Sequence, residues 1–149
     1  MQKLWEEYMM EQLAKAILEQ ENRTCVLCGE GRVYKSDRRG VAPLLELLDN
    51  GTQVTGFFAA DRVVGKATAF LYCLLGVKAV YAKVMSKPAA EVLTKMGIAH
   101  SWDALVEGIQ NRQKNGPCPM EYATRDCRTA EEALAAIRSK LKELALTNK

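Results

Sequence analysis

The chain has 149 residues, 48% of them hydrophobic, and a formal net charge of +3, which excludes a fibre or a disordered tail and suits one soluble globular domain over residues 1–149. A chain of this length buries about two thirds of the surface its unfolded state exposes, so it needs neither metal nor disulfide to fold. Its 21 basic and 18 acidic residues are dispersed along the sequence, so nucleic acid is not an expected partner, while a small phosphate-bearing molecule is allowed.

Trp5, Met9, Leu13, Ala16 and Ile17 recur at helical spacing and predict an amphipathic helix over about Gln2 to Glu19, its stripe facing the core or a partner subunit, so a homodimer stays open. Thr24 to Cys28 and Arg32 to Lys35 are β-prone runs joined by Gly29-Glu30-Gly31, which predicts a hairpin. After the polar Ser36 to Arg39, Pro43 sits where a first helical turn tolerates it, four leucines follow, and Gly51 ends the helix. Val54 to Ala60 reads as a buried strand, Gly65 to Leu75 as a helix closed by Gly76, Ala79 to Met85 as a second buried strand, and Pro88 to Met96 as a helix closed by Gly97.

Ile98 to Trp102 reads as a short strand, with Asp103 capping a helix through about Ile109, before the polar loop Gln110 to Gly116. Pro117-Cys118-Pro119 opens a short helix, and Thr129 with Glu132 forms a capping box for a last helix carrying Leu134, Ile137, Leu141 and Leu144. Apolar strands alternating with helices of roughly ten residues imply parallel crossovers, with the hairpin as an antiparallel edge. The fold class is therefore α/β: three α/β/α layers around a mixed, mostly parallel sheet.

No run approaches the ~18 apolar residues of a membrane span, and acidic Glu6 and Glu7 stand where a signal peptide has its apolar core, so the expected location is cytoplasmic, away from membranes. Five cysteines without a secretion signal are expected as reduced thiols, and the Asn22-Arg23-Thr24 sequon as chance. Cys25 and Cys28 lack two further soft ligands at the right spacing. On a strand they also point to opposite faces, so they are expected as packing, as is Cys73 in its apolar run. The single histidine, His100, is expected as a surface or half-buried residue without catalytic work.

Asp61-Arg62-Val63-Val64-Gly65-Lys66-Ala67, the helix start Ser86-Lys87-Pro88-Ala89-Ala90-Glu91-Val92-Leu93, and Cys118-Pro119-Met120-Glu121, together with the order of elements, carry a resemblance. From about Thr24 to Leu141 the chain resembles the bacterial family called domain of unknown function 1893, which implies a cytidine-deaminase-like fold. Zinc deaminases hold Zn²⁺ with three His or Cys ligands and move protons with a Glu. Here Gly65 and Ala67 stand near the His and Glu of the first motif, and Ala89 and Val92 occupy the two cysteine positions of the second. None of these side chains binds zinc, so neither a metal nor another cofactor is expected, nor deamination by the zinc mechanism.

Gly65-Lys66 after a strand is not a Walker loop, since Ala60 replaces its first glycine and Ala67 its Ser or Thr. Free N–H groups at a helix start, with a lysine, still favour an anion. Asp61 is expected just past the strand end, where open α/β sheets bind ligands, paired with Lys66 or accepting from a hydroxyl. Cys118 is expected as the N-cap of the helix begun by Pro119, a position that favours thiolate, against which Glu121 acts one turn away. The candidate catalytic residues are therefore Cys118, Lys66 and Asp61, and the candidate ligand-binding residues Gly65, Lys66, Ser86, Lys87 and Glu121. Two functions stay open: an enzyme acting on a nucleotide-like or other anionic small molecule through Cys118, or a sensor of such a ligand that reports to a partner through a terminal helix.

Overall fold

In the computed structural model, which describes residues 2–147, the chain folds around a five-stranded sheet. Its elements are α1 (Gln2–Gln20), β1 (Cys25–Gly29), β2 (Arg32–Ser36), α2 (Ala42–Asp49), β3 (Phe58–Val64), α3 (Lys66–Leu75), β4 (Ala79–Ser86), α4 (Lys87–Lys95), β5 (Ala99–Val106), α5 (Pro119–Ala123) and α6 (Ala130–Thr147). The strand order is β2-β1-β3-β4-β5. β3, β4 and β5 are parallel, whereas β1 runs antiparallel to both of its neighbours, so it alone opposes the other strands. The hairpin closes at Glu30 (φ 50°) and Gly31 (φ 72°), two successive left-handed residues whose twist matches that of the paired strands.

Helices cover both faces, giving the three expected layers. On one face α1 sets Ala14 and Leu18, flanked by Met10 and Ile17, on Val26, Cys28 and Ala60. On the other, Leu44, Phe70, Leu71, Leu93 and Ile137 from α2, α3, α4 and α6 form one continuous core over the sheet. Cys25 and Cys28 fall in these two opposite clusters, as their spacing on a strand requires. Thr129 caps α6 by accepting from the Glu132 N–H at 3.1 Å.

Four expectations are corrected. The stripe of α1 is rotated: Trp5, Met9 and Leu13 are exposed, and the buried side is built on Ala14 and Leu18. The strand expected from Val54 begins only at Phe58, because Gly56 (φ 80°) bends the chain while Val54 and Phe57 pack from a loop. That strand also runs on to Val64, so Asp61 lies inside β3 and not past its end. Finally, the residues expected as a helix from Asp103 continue β5, paired with β4 out to Ser86 and Val106; Asp103 caps nothing and instead accepts from the Tyr81 hydroxyl at 2.7 Å.

Candidate functional site

A cavity of about 620 Å³, a size suited to a small molecule, opens at the C-terminal end of β3. Its walls come from β3, the start of α3, the segment that leaves the hairpin, and the chain from Ile109 through α5. Of the sequence candidates, Asp61, Gly65, Cys118 and Glu121 line it. Lys66, Ser86 and Lys87 do not. The Lys66 ammonium donates to the Arg125 carbonyl at 2.7 Å and lines a second, basic cavity with Lys95, Arg125 and Arg128. Ser86 is fully buried and caps α4 by accepting from the Ala89 N–H at 3.2 Å, and Lys87 pairs with Glu107.

Asp61 sits 9% exposed in β3. Its Oδ2 accepts from the Tyr72 hydroxyl at 2.7 Å, and its Oδ1 from the Val63 N–H at 3.4 Å. The Tyr72 proton is committed to Asp61, so the Cys25 thiol, 3.3 Å away, is the donor to the Tyr72 oxygen. Lys66 is turned to the Arg125 carbonyl, and the hydroxyl that Asp61 meets is the protein's own Tyr72. Burial, outweighing these hydrogen bonds, raises the Asp61 carboxyl from 3.8 to about 6. The same burial, together with the Asp61 charge, pushes Tyr72 and Cys25 well above their ordinary values.

Glu121 reaches across from α5 to the start of α3. Its Oε2 accepts the Lys66 backbone N–H at 2.6 Å, so the anion attracted by that helix start is the chain's own carboxylate. Gly65 makes this approach possible, since a Cβ there would overlap the carboxylate. The other oxygen, Oε1, is buried and has no hydrogen-bond partner among the described residues. Cys118 is half-buried at the N-cap of α5, with Pro119 in the first turn as expected, but its side chain makes no cap hydrogen bond.

The cavity also holds residues that the sequence did not single out. Arg38 is paired with Glu46 at 2.8 Å, and Arg62 is spent on the Leu18 and Arg23 carbonyls and the Asn22 side chain. Arg39 and Arg112 line the same cavity and have no ion-pair partner among the described residues. The one signal for Arg39 was its place in the polar Ser36 to Arg39 stretch; Arg112 lay in a loop with none. The residues that the sequence resemblance sets against the ligands of a zinc deaminase, Gly65, Ala67, Ala89 and Val92, are all buried and have no side-chain ligand atom, so they do not fit the metal. Among the described residues no group of three or more His, Cys, Asp or Glu side chains gathers to hold an ion. No described helix is long and apolar enough to cross a membrane.

The profile of the family described as TM1506, domain of unknown function (DUF1893), matches residues 13–141. A DUF1893 family protein (TM1506) from Thermotoga maritima is similar in structure, with a TM-score of 0.83 at 25% identity over 90% of this chain and 91% of that one. A dCMP deaminase from the cyanophage S-TIM5, in apo form, aligns with a TM-score of 0.43 and 12% identity over 64% of this chain and 95% of that one. No curated protein sequence matches the chain.

Proposed function

The chain belongs to the DUF1893 family, and we propose that its cavity binds a small anionic molecule, nucleotide-like in size, whose charged group meets Arg39 and Arg112. The observation that carries this reading is the pair of arginines on the cavity wall, neither spent on a carboxylate among the described residues. A guanidinium offers a planar fork of donors matched to phosphate and carboxylate, and a charge-assisted hydrogen bond of this kind is worth about 1.5–3 kcal/mol. The start of α3 is already taken by Glu121, so the arginines and not Gly65-Lys66 are the anion contacts.

Calorimetric titration of nucleoside 5′-monophosphates, with inorganic phosphate alongside, tests this. The expected result is binding of at least one nucleotide, weakened roughly tenfold or more in Arg39→Ala/Arg112→Ala at unchanged melting temperature. A double variant that binds as the wild type does would refute the reading. The fate of the bound molecule is read from Cys118: a thiol that alkylates rapidly in the folded protein and is shielded by the nucleotide belongs to an enzyme with Cys118 as nucleophile and Asp61 as acid or base. An inert thiol with intact binding belongs to a sensor. The sensor reading draws on α1, whose Leu4, Trp5, Tyr8 and Met9 are exposed where a partner or a second copy could cover them.

A further inference from the structure

The charges around the cavity sort into those already spent inside the protein and those left over. Arg38, Arg62 and Asp37 are spent, Asp37 on Arg23 at 3.0 Å. What remains is two cations, Arg39 and Arg112, and two carboxylates, Asp61 and Glu121, none of which has an ion-pair partner among the described residues. An ionised carboxylate offers about four acceptor positions. Asp61 uses two of them, one at a long 3.4 Å, and Glu121 uses one, with its buried Oε1 orphaned. The buried Glu121 Oε1 lies out of a ligand's reach, which leaves the other free acceptor positions of the two cavity-lining carboxylates for a donor from outside.

We propose that the occupant of the cavity is amphoteric: besides the anionic group held by Arg39 and Arg112, it carries a cationic or N–H-rich head that donates to Asp61 and Glu121. This deepens the anion-binding reading and rests on it. An anion alone would leave both carboxylates unpaired and would meet their repulsion. The protein's own groups give the Asp61 carboxylate two hydrogen bonds among the described residues. Tyr72 from α3 has given its only proton, Cys25 from β1 donates to Tyr72, the β3 backbone supplies the weak Val63 contact, and Glu121 from α5 is itself an anion. Tyr72 and Cys25 thus hold Asp61 in orientation, acting as positioning residues behind the carboxylate that meets the ligand.

Matched probes separate the head from the anion. Hexyl phosphate and 6-aminohexyl phosphate, and ethyl phosphate and O-phosphoethanolamine, differ within each pair only in the amine. Calorimetry at pH 7.5 is expected to give the aminated member of at least one pair a tenfold or greater advantage. That advantage falls at least threefold in Asp61→Asn and, separately, in Glu121→Gln, which keeps an acceptor for the Lys66 N–H. It also shrinks at pH 5, where Asp61, with a carboxyl at about 6, takes up a proton; this comparison is made on the hexyl pair, whose amine is too far from the phosphate to shift its titration appreciably. Equal affinities within each pair, or an advantage that survives both substitutions, would overturn the amphoteric occupant while leaving the anion site standing. Failure of all four probes to bind would overturn both.

Discussion

Asp61→Asn is expected to raise the stability of the free protein at pH 8 by about 1–3 kcal/mol while removing the Asp61 contribution to its pH dependence between about 4 and 6. The reason is linkage. In the folded chain the Asp61 carboxyl is raised from 3.8 to about 6, chiefly because burial disfavours its charge. The folded state therefore binds this proton more tightly than the unfolded state. The stabilisation is fully present below the unfolded value near 3.8 and is lost as pH rises through about 6. About two pH units correspond to ~3 kcal/mol withheld at neutral pH. Asparagine carries no charge to desolvate and still offers the Tyr72 hydroxyl an acceptor, at the expense of the long Val63 contact. Urea unfolding of both proteins across this range checks it: the curves should nearly coincide at pH 4, diverge between about pH 4 and 6, and run parallel above that, with the variant higher. A variant less stable at pH 8 would mean that the carboxylate is compensated inside the protein and is not kept for a ligand.

The second large effect is expected at Gly65. Its Cβ would overlap the Glu121 carboxylate and come within 3.1 Å of Ile109 Cγ1, so Gly65→Ala should cost about 1–3 kcal/mol. The backbone is not the obstacle: Gly65 has φ −99°, which any residue adopts. The loss should therefore depend on Glu121. In a Glu121→Ala background, itself weakened by roughly 0.5–2 kcal/mol through the lost acceptor at the start of α3, adding Gly65→Ala should cost a few tenths of a kcal/mol, a coupling of order 1 kcal/mol or more. Equal costs in both backgrounds, by thermal or urea denaturation, would remove Glu121 from the start of α3.

Both substitutions bear on what the sequence could and could not convey. The hairpin, α3, β4, α4 and the Thr129 cap were legible because glycine, proline and capping residues punctuate them locally. The two strand ends that went wrong share one cause. An aspartate in an apolar run reads as the end of a strand, yet Asp61 and Asp103 both lie inside strands, each at 2.7 Å from a tyrosine hydroxyl, Tyr72 and Tyr81, delivered from another element. Such partners are set by tertiary packing and leave no local mark. The site followed the same division. Asp61, Gly65, Cys118 and Glu121 were visible as unusual residues at element ends, and one cavity brings them together. Lys66 shares their motif, but its side chain turns to the Arg125 carbonyl, because the backbone N–H and the side chain of one residue at a helix start point to different neighbours. Tyr72 was hidden within the apolar run Phe70 to Leu75, and Arg39 and Arg112 within polar connections. The packing of α1 escaped because Trp5, Met9 and Leu13 keep helical spacing on a side that none of the described residues covers.

The Asp61–Glu121 cavity, and not the neighbouring basic one, is where an anion is expected to bind. Both present cations without an ion-pair partner among the described residues, Arg39 and Arg112 in the first and Lys95 and Arg128 in the second. Backbone amide NMR during titration with 6-aminohexyl phosphate distinguishes them residue by residue. Saturable shift changes concentrated at Arg39 to Val41, Asp61 to Thr68 and Ile109 to Glu121 are the predicted result. Changes confined to Glu91 to Met96 and Arg125 to Arg128, with the first set unmoved, would contradict it.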